Sequence, residues 1–85
     1  MNQLIAMFNA ISSAWAEAEW CRLQYRFAVA RRYLPGGIEV VGVLTNGTVS
    51  IIIQDAQGNW VQFYSLLGAV SAVASLEGGR HDQVG

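Results

Sequence analysis

The chain has 85 residues, 53% hydrophobic and 13% charged, with a net charge of −1, no lysine and a single cysteine, Cys21. That length makes one domain whose core buries only about 60–65% of the unfolded surface, while the charge is roughly half of the ~25% usual in soluble domains. These values exclude an intrachain disulfide and a cysteine-built zinc cluster, give no basic footprint for nucleic acid, and leave more apolar surface than so short a chain buries alone, which points to contact with another molecule.

The N-terminal stretch is the first to weigh. Leu4–Ile11 followed by Ala14-Trp15-Ala16 has the outline of a signal peptide, but no basic residue precedes it and Asn9 interrupts it. Residues 1–16 carry no side-chain charge, whereas interfacial membrane helices have a basic polar face. No apolar run reaches the ~18–20 residues of a membrane span. A membrane role is disfavoured, and a reduced cytoplasmic setting is expected.

From Asn2 to Leu34 there is no glycine or proline, and Leu4, Met7, Phe8, Ile11, Ala14, Trp15, Ala18, Tyr25, Val29 and Tyr33 recur at helical spacing. The spacing predicts one long helix ended by Pro35-Gly36-Gly37. Thirty helical residues span about 45 Å, so this helix either protrudes or breaks near Asn9–Ser13. On its opposite side Trp20, Leu23, Phe27, Ala30 and Leu34 fall at a 3-4-3-4 spacing, which makes a short coiled-coil-like seam and a candidate interface.

Ile38–Thr45 is rich in β-formers and is followed by Asn46-Gly47, the strongest short hairpin signal. Thr48–Gln54 is the return strand, Asp55–Gly58 a second turn and Trp60–Tyr64 a third strand. The two turns fix the register. Leu44 pairs with Val49, Gly42 with Ile51, Val40 with Ile53, Ile53 with Val61 and Ile51 with Phe63, all on a core face. The other face carries Val41, Val43, Ile52, Trp60 and Tyr64, the second candidate interface, where a one-sided sheet would normally be polar. Ser65 can cap a last helix, Leu66–Glu77, ended by Gly78-Gly79, with Leu66, Leu67, Val70, Val73 and Ala74 toward the sheet. The expected fold is α+β: a long N-terminal helix, a three-stranded antiparallel meander and a short C-terminal helix, in one domain of residues 1–79 with a flexible polar tail, 80–85.

Catalytic groups are sparse. His81, the sole histidine, falls in the tail, and Cys21 has no base near it in sequence. Glu17 and Glu19 are two apart and so diverge on a helix. No phosphate loop or metal-ligand spacing is present, so neither catalysis nor a cofactor is expected. Arg22, Arg26, Arg31 and Arg32 interleave with aromatic residues, the pattern of a nucleic-acid contact, but they scatter around a helix. The predicted helix–strand–strand–strand–helix order is that of double-stranded-RNA-binding domains. The basic start that such domains give their last helix is replaced by Leu66-Leu67-Gly68-Ala69.

The expected function is therefore non-catalytic protein–protein interaction, beginning with a homodimer, through Trp20, Leu23, Phe27 and Leu34 or through Val41, Val43, Ile52, Trp60 and Tyr64. Two alternatives stay open. One is a bacterial mobile-element or phage product that inhibits a host defence complex in the manner of anti-CRISPR proteins, a reading that rests on size and composition. The other is nucleic-acid binding by the four arginines.

Overall fold

The structure, a computed structural model, describes the backbone of residues 2–84 and the side chains of residues 3–75. Its elements in chain order are α1 (Asn2–Cys21), β1 (Phe27–Leu34), β2 (Ile38–Thr45), β3 (Thr48–Gln54), β4 (Trp60–Phe63) and α2 (Leu66–Val84). The α+β class and the meander agree with expectation. The sheet, however, has four antiparallel strands, in the order β1-β2-β3-β4.

The additional strand is taken from the expected long helix. α1 stops at Cys21, and its last turn tightens: the Arg22 N–H donates to both Ala18 O (3.0 Å) and Glu19 O (3.2 Å), and Leu23 N–H to Trp20 O (3.2 Å). The chain turns without glycine or proline and re-enters as β1, whose odd residues, Phe27, Val29, Arg31 and Tyr33, alternate with Ala28, Ala30, Arg32 and Leu34. Pro35-Gly36-Gly37 is thus a hairpin loop between two eight-residue strands. The β1–β2 register runs from Phe27↔Thr45 to Leu34↔Ile38. α1 is continuous through Asn9–Ser13, so the helix is short rather than broken. With four strands between the helices, the order also departs from that of double-stranded-RNA-binding domains.

β2, β3 and β4 pair as their turns require. Leu44↔Val49, Gly42↔Ile51 and Val40↔Ile53 join β2 to β3, and Ile53↔Val61 and Ile51↔Phe63 join β3 to β4. Asn46 and Gly47 both take positive φ (49° and 82°), as the type I′ turn demands.

Both helices pack against the same face of the sheet. α1 presents Ala10, Ile11, Ala14 and Ala18, spaced to form one stripe. The alanines let the helix backbone approach β2 so closely that a Cβ at Gly42 would collide with the Ala14 carbonyl. Ile11, Val40, Leu44 and Ile51 are the largest fully buried side chains, each contributing about 1.5–3 kcal/mol by burial.

α2 begins at its expected cap, with Gly68 N–H donating to Ser65 Oγ at 2.9 Å. Its inward residues are Leu66, Ala69, Val70 and Val73. Leu67, expected to face the sheet, is 76% exposed, and Ala74 is exposed too. Ala69 and Val73, four apart, set the stripe, which turns Leu67 and Ala74 to solvent. α2 also runs through Gly78-Gly79 to Val84 rather than ending there. The side chains of the expected tail, His81 included, lie outside the described residues. Among the described residues, no helix is long and apolar enough to cross a membrane.

Candidate interaction surface

Because α1 and α2 occupy one face, the other face of the sheet has no element over it among the described residues. The register places Phe27, Val29, Arg31 and Tyr33 of β1 there, beside Glu39, Val41, Val43 and Thr45 of β2. Thr48, Ser50, Ile52 and Gln54 of β3 follow, then Trp60 and Gln62 of β4, with Tyr64 just beyond it. The second candidate set, Val41, Val43, Ile52, Trp60 and Tyr64, therefore shares one face.

The helical seam does not form. Trp20 is on α1, Leu23 is in the turn after it, and Phe27 and Leu34 point to opposite faces of β1. Its spacing was helical, but a strand turns 180° per residue, so positions seven apart part company. Phe27 joins the outer face instead, together with Val29 and Tyr33. The clue to these three lies in their alternation along β1, flanked by the Pro-Gly-Gly loop.

The outer face has relief. Its two edges carry exposed aromatic rings: Phe27 (63%) and Tyr33 (75%) on β1, Trp60 (63%) and Tyr64 (67%) at β4. Between them the floor is lower and already covered in part by the chain's own polar groups. Arg31 Nη1 donates to Glu39 Oε2 at 2.9 Å, beside Val41, which is buried. Gln62 Nε2 donates to Ser50 Oγ at 3.0 Å across β3 and β4. The Glu39 carboxylate, as acceptor and as neighbouring charge, raises the Arg31 pKa. A depression of about 310 Å³ lined by Thr45, Thr48, Ser50, Gln62 and Tyr64 opens on this face, with only Tyr64 titratable.

The remaining arginines are largely committed. Arg22 pairs with Glu19 at 2.9 Å, one helical turn away. Arg32 sits on the helix side of β1, donating to Ser13 Oγ (2.9 Å) and Glu17 Oε1 (2.7 Å), and so ties the strand to α1. Only Arg26, in the connection before β1, has no carboxylate partner among the described residues. The four are thus spread over α1's end, the turn and both faces of β1.

Asp55 organises the β3–β4 turn. Its Oδ1 accepts from Gln57 N–H (2.9 Å) and Asn59 N–H (3.0 Å), and its Oδ2 from Asn59 Nδ2 (3.1 Å). These bonds, the Asn59 side chain first, hold its pKa below the ordinary value. A second depression of about 350 Å³, lined by Ile53, Asp55, Asn59, Trp60 and Val61, therefore contains a carboxylate engaged in its own loop. Cys21 is half-buried against Ala18, Leu44 and Val49. Among the described residues, no group of three histidine, cysteine or acidic side chains comes together as a metal site.

No protein-family model matches the chain, and neither a curated protein nor a solved structure shows significant similarity to it.

Proposed function

We propose that the protein is a non-catalytic protein-interaction module that self-associates through the β1 side of its outer sheet face. The observation that carries the reading is the exposure of Phe27, Val29 and Tyr33 on a sheet face with no helix over it among the described residues. Aromatic residues with a large apolar body and little rotamer freedom are the usual centres of binding energy in interfaces. Arg31 and Glu39 lie among them and satisfy one another, so a partner covering the patch meets a neutral pair. Trp60 and Tyr64, across the sheet, form a second apolar group available for a further partner.

The test is the solution mass of the double variant Phe27→Ser/Tyr33→Ser. Both side chains project from the fold, so circular dichroism should match the parent. The expected result is conversion to monomer at micromolar concentration. An unchanged oligomer with both rings removed would contradict the assignment of this surface.

A further inference from the structure

β1 is an edge strand, and its backbone indicates how two copies would meet. Asn46 N–H donates to Arg26 O at 2.8 Å, so positions 26 and 46 form a hydrogen-bonded pair in the register that sets Phe27 opposite Thr45. Antiparallel pairs alternate. Ala28, Ala30, Arg32 and Leu34 therefore direct their N–H and C=O groups to β2, while Phe27, Val29, Arg31 and Tyr33 direct theirs off the edge of the sheet. Three of the four residues with outward-facing backbone, Phe27, Val29 and Tyr33, are the ones whose side chains form the apolar patch.

We propose that two copies join β1 to β1, antiparallel, about a two-fold axis at Ala30, making one continuous sheet. This rests on the self-association reading above. A two-fold perpendicular to the sheet sets side chains of the same face opposite each other, which leaves few registers. Centred on Ala30, the axis sets Phe27 opposite Tyr33 of the second copy and Val29 opposite Arg31, and every outward-facing residue finds a partner. Aromatic cross-strand pairs of this kind stabilise sheets. Centred on Arg31, the axis would leave Phe27 opposite Pro35, outside the strand. Centred on Val29, it would leave Tyr33 opposite Tyr25, outside the strand.

Charge does not oppose the junction. Arg31 is held by Glu39 at 2.9 Å and Arg32 by Glu17 at 2.7 Å within the same chain, so the edges meet as neutral pairs. Arg32 Nη1 also donates to Arg31 O at 2.9 Å. A carbonyl oxygen has a second lone pair for the incoming N–H. The helix layer adds contact. Ser13 and Glu17 bond to Arg32, so this flank of α1 lies on the β1 side. Joining the edges would set the two α1 helices on the same face of one sheet, with the Ser13 and Glu17 flank of each toward the other.

The experiment is a cross-link read together with a backbone variant. In a Cys21→Ser background, Ala30→Cys places two thiols at a non-hydrogen-bonded pair with Cα atoms about 4.5 Å apart, within disulfide range. Oxidation should give a covalent dimer, whereas Trp60→Cys in the same background should not. Val29→Pro removes an N–H that the monomer does not use, and edge strands tolerate such a proline. It should give a folded monomer by circular dichroism and light scattering, while Val29→Ala, which keeps the N–H, should remain associated. An associated parent protein with no Ala30→Cys cross-link, and with Val29→Pro as strongly associated as Val29→Ala, would overturn the edge junction and leave self-association standing. A monomeric parent protein would overturn both.

Discussion

A methyl group added at Gly42 would meet the carbonyl of Ala14, which is helix backbone and cannot swing aside as a side chain would. Gly42→Ala should therefore cost about 1–3 kcal/mol, the range for overpacking a close contact, measured as a lowered urea midpoint. A stability equal to that of the parent would mean that α1 rides further from β2 than described. Asp55 acts oppositely, by binding rather than by absence. Its carboxylate is stabilised by Asn59, then by its turn's backbone, and its folded pKa is lowered. The stabilisation is fully present above the unfolded carboxylate value of about 4 and is lost as pH falls through the lower folded value. Between pH 5 and 8 this group should leave stability flat. The acid-side decline of the parent should be shallower in Asp55→Asn, and identical acid profiles for the two would contradict the role given to the carboxylate.

At the scale of elements, β2, β3 and β4 were legible because each is bounded by turn chemistry with a specific backbone demand. Asn46-Gly47 dictates a two-residue turn, and with it every pair from Leu44↔Val49 to Val40↔Ile53. From there the shared face of Val41, Val43, Ile52, Trp60 and Tyr64 follows by alternation alone. β1 was not legible as a strand because Ala28, Ala30, Arg31, Arg32 and Leu34 are good helix formers and because the turn at residues 22–26 contains no glycine or proline. Tertiary pairing with β2 overrides that local preference, helped by Arg32, which reaches Ser13 and Glu17 on α1. Arg32→Ala should destabilise the fold by about 1 kcal/mol, as a partly exposed pair with an added hydrogen bond does. An unaltered unfolding midpoint would show the tie to be incidental. α2 depends on its cap. Ser65→Ala removes the acceptor for Gly68 N–H and should cost about 1 kcal/mol, with a fall in helical circular dichroism. A full helical signal and unchanged midpoint would contradict that dependence.

For the molecule as a whole, the low charge content finds a structural counterpart. Two helices cover one side of a four-stranded sheet, and the other side is left with aromatic rims over a partly satisfied polar and aliphatic floor. The excess of apolar residues was readable from composition, and half of its location from the hairpins. The β1 share of the surface was hidden by the same helical misreading that hid the strand. Specific interfaces commonly bury about 800 Å² per partner, against a surface of 5613 Å² for this chain. The outer face and its β1 edge offer a contiguous apolar region for such a contact. The most direct test is the mass of the intact protein by light scattering at low and high salt. The expected result is a dimer or larger, at least twice the 9.2 kDa of the chain and insensitive to salt, as an apolar and backbone-mediated contact would be. A monodisperse 9.2 kDa species at both salt concentrations would contradict it.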